Sequence, residues 1–598
     1  MTIGEKNITI PDWLRARFDD GQRFLVLCLV VGIGCGLAAV GFHLSIHGLF
    51  HGLWRVASSL PTWGFVGLML AAPTFAGLMV GVAVRWWAPD AEGSGIPQTK
   101  AAYYNRGGKI HGMAGVWRFI LGALYMGLGN ALGREGPTVH MSAALASRLG
   151  RWAFRDPTRV QAMLPVGMAA GIGAAFNAPL SALTFVFEEL LDNFSMKALG
   201  GMVIAVVLAA AICRTILGNE PVLAGHLAMH YETSAWMLVA VPLGVAAGLV
   251  GHMFVATLIG LRGFLMRKKF LPGWLRPAAG GLACGVLGLS AFYLTTMFGQ
   301  PHNSVFSIGY EGLSDAFEGN LAIKILATLL VFKFLAVVVN YATGGSGGLF
   351  SPALFMGGML GGVVGIGWVA LQHATEWLPA FPGDGKVVGG CVLLGMGAMF
   401  GSVIRCPFTS LLIIFEMTGN YSLILPLMAG NILSWRIARR LHTVPLYDAL
   451  LLQDGVSLRK MPLFRGQRDY QNLPVQAIMS HDVFTLLDNQ TCGGALRMIT
   501  RLGVHYHGYP VLDIEERLVG VVTRHELKDH PPETRIGDLV ADQNIFTLTP
   551  ETSIREAANK MIARDIQQAP VVSAADPRKL LGWLTINDIA RQQNVAEG

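Results

Sequence analysis

Long apolar runs recur along the first part of this chain, at about 24–46, 62–86, 114–132, 162–187, 200–217, 235–260, 277–299, 322–341, 354–373, 387–400 and 408–436. Several reach the ~20 residues that a helix needs to cross a bilayer. The first run is too long for a signal-peptide core and reads as a retained membrane helix. Many runs are broken by glycine or proline, notably at 171–181 and 344–356. Irregular backbone is tolerated at membrane depth only where it is buried in protein or lines a cavity. The breaks therefore predict a polytopic membrane protein with a pathway through its interior.

Charge marks where that part ends. Residues 1–460 carry 31 Lys+Arg and 21 Asp+Glu, a net of +10, whereas 461–598 carry 14 and 17, a net of −3. The shorter stretch is about twice as dense in charge, which reads as a change of solvent from lipid to water. The whole chain is 14% charged, against roughly 25% for an ordinary soluble domain. Its 74 glycines suit membrane helices whose backbones approach through small residues. The basic balance belongs to membrane loops and is no nucleic-acid footprint. Basic clusters lie at Arg15, Arg17 and Arg23, at Arg262, Arg267, Lys268, Lys269 and Arg276, and at Arg436, Arg439 and Arg440. The positive-inside tendency puts all three, and with them both termini, on the cytoplasmic side. The seven cysteines form no CxxC pair and read as small buried hydrophobes. No GxxxxGK[ST] motif is present, so gradients must drive any transport.

Two segments of the membrane part occur twice. Phe176–Glu188 resembles Val403–Glu416, with Pro179 matching Pro407 and Glu188 matching Glu416, both 228 positions apart. Gly133-Arg-Glu-Gly-Pro137 matches Gly348-Leu-Phe-Ser-Pro352, with Met141 on Met356, 215 apart. Broken helices at matching places in two halves (about 24–220 and 235–440) point to a transporter site at the repeat interface. The residues leave open whether the halves are parallel or inverted. The tail repeats too: Tyr509-Pro-Val matches Ala569-Pro-Val, and Leu518–Glu526 matches Leu580–Asp588. Each unit alternates short β-branched strands with helical stretches, an α/β character. The expected units are 474–530 and 535–595, after a linker at 451–473; residues 1–23 form an N-terminal segment.

An anion in transit must lose water without being trapped, and a full positive charge beside it would hold it too long. Backbone N–H groups at helix N-termini, with hydroxyls, offer a gentler field. Gly93–Pro97, Gly133–Pro137 and Gly347–Pro352 have that makeup: glycines for close approach, and a proline in the first turn. Glu135 is a carboxylate within such a segment. Intramembrane acids are costly and usually functional. At a helix N-terminus it can mimic the anion, occupying the site when ionised and leaving it when protonated.

Gly93-Ser-Gly-Ile-Pro97, Gly133-Arg-Glu-Gly-Pro137, Gly347-Gly-Leu-Phe-Ser-Pro352 and Pro445-Leu-Tyr447, in this order, resemble the CLC chloride channel and transporter family over about 24–450. The tail resembles a pair of CBS domains. The resemblance implies a mainly α polytopic membrane protein with two inverted halves plus a C-terminal α/β CBS pair. It implies a homodimeric chloride/proton antiporter, a secondary active transporter and not an enzyme, in a bacterial inner membrane. It implies that Ser94 and Tyr447 donate hydroxyls, and Leu349 and Phe350 amides, to a central chloride. Ser94 favours chloride over nitrate or fluoride. Glu135 would be the outer gate and proton carrier, and Glu189 the inner proton acceptor that channel members of the family lack. The alternative is a passive chloride channel on the same fold. More distant alternatives are a membrane-anchored adenine-nucleotide sensor and a divalent-cation transporter, though acids lining the path are few.

Other residues take structural readings. Glu188 and Glu416 serve packing or a subunit interface, and Arg118 sits within an apolar span as a structural cation. His43, His47 and His51 share one helix face and are read as lining a helix end at the membrane surface, with metal binding or pH sensing as the alternative. His505 and His507 are read as solvent-facing. No metal and no obligatory cofactor are expected. In the tail, Thr523 with Glu526 and Thr585 with Asp588 match the Thr-x-x-acid position that holds a ribose in CBS pairs. They make the tail the candidate seat of ATP or another adenine nucleotide, with a dimerisation module as the alternative.

Overall fold

The computed structural model describes residues 19–191, 196–218, 235–268, 271–375, 384–419, 423–456, 458, 473–504, 507–541 and 543–590. Arg15, Arg17, Lys269, most of the expected linker and His505 lie outside the described residues. The chain forms two compact units, Met1–Arg459 and Lys460–Gly598.

In the first unit the helices are α1 (Asp20–Ser58), α2 (Thr62–Trp86), α3 (Ile96–Asn105), α4 (Gly112–Gly127), α5 (Glu135–Ala153), α6 (Pro157–Phe176), α7 (Pro179–Phe185), α8 (Met196–Leu217), α9 (Ala235–Lys268), α10 (Arg276–Met297), α11 (Tyr310–Phe317), α12 (Ile323–Ala342), α13 (Phe350–Ala374), α14 (Asp384–Val403), α15 (Pro407–Thr418), α16 (Ile424–Leu441) and α17 (Leu446–Gln453). Among the described residues, seven helices are long and apolar enough to span a bilayer. Large apolar side chains such as Leu37, Phe75, Met253 and Val331 remain exposed, as a lipid-facing surface requires. Helices touch backbone to backbone. A Cβ added at Gly77 would collide with the Pro277 carbonyl, and one at Gly281 with the Pro73 carbonyl. Small residues permit this α2–α10 approach, and dispersion between the helices rewards it.

The run at 162–187 breaks where the sequence placed its proline. Asn177 adopts a left-handed conformation (φ 55) and ends α6, and Pro179 opens α7. Its repeat mate Arg405 is also left-handed (φ 68), just before Pro407 opens α15. The run at 408–436 likewise divides into α15 and α16.

The halves are inverted. Glu416, in the last turn of α15, accepts from the Leu180 and Ser181 amides of α7 (2.9 and 2.8 Å). Glu188, just after α7, accepts from the Phe408 and Thr409 amides of α15 (3.2 and 2.8 Å) and from the Thr409 hydroxyl (2.7 Å). Each acid thus caps the opposite half's helix N-terminus, which requires the two helices to run antiparallel. Gly133 and Gly348 repeat the pattern, exchanging both backbone hydrogen bonds (2.8 and 2.6 Å) across an antiparallel bridge. Glu188 and Glu416 therefore pack helices within one chain.

The second unit contains β1 (Leu486–Leu487), α18 (Cys492–Leu502), β2 (Gly508–Leu512), β3 (Leu518–Thr523), α19 (Arg524–Asp529), α20 (Ile536–Val540), α21 (Ile554–Ala563), β4 (Gln568–Val572) and β5 (Leu580–Thr585). β2–β3 and β4–β5 are antiparallel pairs with the same register and the same irregularity, after Val511 and after Val571. The repeats exchange their leading segments. Val475 and Met479 pack in the core of the second module, while Ile536 and Val540 pack in that of the first.

Candidate functional site

Three loops meet side by side. Gly93 donates to Gly345 O and accepts from Gly347 N, both at 3.1 Å, while Gly133 and Gly348 pair as above. The first loop needs its glycines: Gly93 and Gly95 have φ of 71° and 88°, a region costly for residues with a Cβ. This lacing brings the expected anion ligands together. Ser94 is fully buried, with its Cβ 3.1 Å from where a Cβ on Gly136 would stand. Leu349 caps α13 and Phe350 opens it, both buried. Among the described residues, neither of their amides donates to another protein group. The Phe350 and Tyr447 rings lie 6.4 Å apart, and the buried Tyr447 hydroxyl has no described hydrogen-bond partner. Buried donors without acceptors are costly unless something fills the space between them; an anion fits that arrangement.

Glu135, the first residue of α5, is fully buried and reaches across to α13. Its Oε2 accepts from the Ser351 amide at 3.3 Å. Its Oε1 accepts from the Tyr310 hydroxyl at 2.9 Å and from the Ser351 hydroxyl. Arg134 Nε stands 3.9 Å from the same oxygen, longer than a hydrogen bond. Arg134 instead donates to Ala175 O (2.9 Å) and contacts His43. The carboxylate therefore occupies the N-terminus of the other half's helix, where an anion would sit.

Glu189 lies in a widened π-helical turn, Val186–Leu191, a feature common at functional sites. This turn lets Glu188 face α15 while Glu189 is buried, 2.6 Å from Lys100 Nζ. Lys100 also pairs with Asp448 at 2.7 Å, next in sequence to Tyr447. Two carboxylates thus meet at one buried ammonium. A cleft of about 570 Å³ opens onto Gly93, Pro97 and Tyr341. Arg85, Arg106, Arg262 and Arg276 line it with Asp90, Glu92 and Asp454, and Arg262 pairs with Asp454 at 2.6 Å.

Two buried cations shape the loops. Arg118 does not pair with an acid; it donates to the carbonyls of Asp90, Glu92 and Gly93. Lys333 donates to the carbonyls of Ser304, Val305, Ser307 and Ile308 at 2.8–3.1 Å and so holds the loop that leads to Tyr310. The histidine row reaches deeper than a surface helix end: His43 lies against Arg134, and His47 Nδ1 is 3.5 Å from His51 Nε2. His51 in turn approaches Glu311 at 3.7 Å.

In the tail, Thr523 and Glu526 form a capping box, with the Thr523 hydroxyl and amide donating to the carboxylate (2.8 and 2.7 Å). Thr585 and Asp588 reproduce it (2.7 and 2.9 Å). Only the first pair lines a cleft of about 410 Å³, facing 543–546 and 565–570 of the second repeat. His507 lines this cleft as well.

Lys100, Tyr310, Lys333, Ser351 and Asp448 were not singled out from the sequence. Lys333 stood as a charge inside the 322–341 run, and intramembrane charge is itself a signal. Tyr310 carried none, since only the fold brings it to Glu135.

Two inverted halves with broken helices that converge on helix N-termini, hydroxyls and buried carboxylates define a membrane transport protein. The family model described as voltage gated chloride channel matches residues 76–439, and this chain belongs to that family. CBS domain models match 475–533 and 536–594. The H(+)/Cl(-) exchange transporter ClcA of Vibrio campbellii (strain ATCC BAA-1116) is 32% identical over 451 residues, 71% of this chain and 88% of that protein. ClcA of Yersinia pseudotuberculosis serotype IB (strain PB1/+) is 30% identical, covering 71% and 87%. A slow cyanobacterial Cl-/H+ antiporter has the same fold (TM-score 0.64, 24% identity, 72% of this chain and 98% of that one). So does a eukaryotic CLC transporter (TM-score 0.65, 18% identity), which spans 95% of this chain and 98% of its own. The chain is an integral membrane protein.

Proposed function

We propose that this protein exchanges chloride for protons, as the names of its relatives describe for them. The observation that carries the reading is Glu135, whose carboxylate rests on the N-terminus of α13, the helix whose Phe350 ring lies 6.4 Å from that of Tyr447. A carboxylate held where the anion binds must leave for the anion to enter, and protonation is what releases it. In this reading Ser94, Leu349, Phe350 and Tyr447 bind the chloride, Glu135 gates and carries the proton on the outer side, and Glu189 receives it on the inner side. Burial of Glu189 beside Lys100 supports the exchanger over the channel, because an acid held inside the protein is a group to which a proton can be passed. The protein works as a homodimer in a bacterial inner membrane with both termini cytoplasmic. The tail regulates it, with an adenine nucleotide bound at Thr523 and Glu526; Thr585 and Asp588 belong to a second, weaker seat.

The test is reconstitution in liposomes. A chloride gradient should drive protons uphill. Glu189→Gln should abolish the proton flux and spare the chloride flux, and Glu135→Ala should uncouple the two. Chloride movement in the wild type without protons would refute the exchanger and leave a passive channel.

A further inference from the structure

Glu135 is held by more than the helix N-terminus. Gly309, left-handed at φ 90, turns the chain so that Tyr310 points at the site, and the loop before it is fixed by Lys333. The Tyr310 hydroxyl contacts both Glu135 Oε1 (2.9 Å) and Ser351 Oγ (2.8 Å). The Ser351 hydroxyl and amide also donate to the carboxylate. These three donors come from α11 and α13, not from the helix that carries Glu135. Among the described residues, the other charged or titratable groups facing this corner are Arg134, whose guanidinium lies 5.8 Å from the Tyr310 ring, His43 behind it on α1, Glu311 on α11, Lys333 on α12 and Tyr447 on α17.

We propose that the Tyr310 and Ser351 hydroxyls form a latch that holds the ionised Glu135 in the anion's place and sets the proton concentration at which it lets go. The proposal rests on the exchanger reading above. A hydroxyl donating to a carboxylate makes a charge-assisted bond, roughly twice as strong as a neutral one. The latch therefore favours the ionised, closed form. When a proton from solution adds to a carboxylate oxygen, no other bond breaks. The two donors then face a neutral acid, the bonds weaken, and the side chain is freed to exchange with chloride. Both residues are positioning residues acting through Glu135. The backbone amide of Ser351 stays in place whatever hydroxyl is removed, so each substitution weakens the latch without abolishing the site.

The measurement is chloride efflux from proteoliposomes against external pH, for the wild type, Tyr310→Phe, Ser351→Ala and Glu135→Gln. Loss of one charge-assisted donor should move the half-maximal pH upward by about one unit, so that efflux persists in more alkaline solution. A midpoint that stays within a few tenths of a unit in the latch variants, or moves down, overturns the proposal. Glu135→Gln separates this from the underlying reading: a wild-type pH profile in that variant refutes Glu135 as the gate. A flat profile there, with unshifted latch variants, refutes the latch alone. If Tyr310→Phe does not yield folded protein, Ser351→Ala decides by the same shift. A purely structural role would change the amount of active protein and leave the midpoint where it was.

Discussion

Replacing Lys333 with methionine should damage the protein more than any other single charge removal in the apolar spans. Methionine keeps the length of the stem and its packing beside Phe355, whose ring lies 5.0 Å from Nζ. What disappears is the donor to four buried carbonyls, those of Ser304, Val305, Ser307 and Ile308. The ammonium has three N–H groups for these four acceptors, and an unsatisfied buried acceptor costs about 1–3 kcal/mol, so the gross loss is about 3–9 kcal/mol. Two terms reduce it. The variant no longer buries an ammonium, which itself costs several kcal/mol, and the loop can turn some carbonyls toward water. The net expectation is a loss of about 2–4 kcal/mol, the unsatisfied carbonyls less the relieved cost of burying the ammonium. Detergent-solubilised protein can be unfolded with denaturant or heat and the folded fraction read by size exclusion. Because the same loop delivers Tyr310, surviving Lys333→Met protein should also show a chloride-efflux midpoint displaced upward in pH. Wild-type stability in Lys333→Met would refute the view that the ammonium builds this loop.

The reciprocal caps predict symmetry: Glu188→Ala and Glu416→Ala should each cost about 1–2 kcal/mol, equally, and the double variant should show the sum, since the sites lie at opposite ends of the helix pair. A difference above about 1 kcal/mol between them, by the same unfolding assay, would contradict equivalent roles. Gly281→Leu should fail to give folded protein because its side chain meets the Pro73 backbone, whereas Gly260→Ala, with open space around it, should express and melt like the wild type. In the full-length protein, Thr523→Ala should weaken ATP binding about fivefold or more, the worth of one hydrogen bond, and Thr585→Ala should leave it nearly unchanged; equilibrium binding of labelled ATP tests both.

The parts that were legible in the sequence are those encoded by local rules. The apolar runs placed α2, α10, α12 and α13 within a few residues, because a bilayer demands length and hydrophobicity from one continuous segment. The glycine–proline breaks marked the loops that meet at the site, because only those residues take the required backbone angles. What could not be read were partners distant in sequence. Arg118 was legible as a structural cation, but not its partners, the carbonyls of Asp90, Glu92 and Gly93. Carbonyls are present at every residue and leave no trace in sequence. Lys100 followed Ser94 by six positions, but nothing local tied it to Glu189 or to Asp448, far along the chain. The histidine spacing was visible at i, i+4 and i+8; that its inner end meets Arg134 depends on how α1 packs against α5.

The duplication separates acids that occur in both halves from acids that occur in one. Glu188 and Glu416 are repeat mates, and they make the same contacts in opposite halves. A residue that does the same job twice is part of the scaffold that both halves inherit. Glu135 and Glu189 are different. The repeat mate of Glu135 is Phe350, and that of Glu189 is Met417, both buried and apolar. At these two positions the halves no longer match, and each acid appears once. A symmetric pair of gates on the two helix N-termini would put two carboxylates into one buried site, and like charges so close cannot both ionise. With Phe350 opposite, the α13 N-terminus keeps its amides for whatever Glu135 is not occupying. Methionine opposite Glu189 leaves that acid, paired to Lys100, without a repeat mate, and the matching turn carries only the capping Glu416. The scaffold is symmetric because folding needs both halves to pack alike. Glu135 and Glu189 break that symmetry, since each has an apolar residue as its mate in the other half.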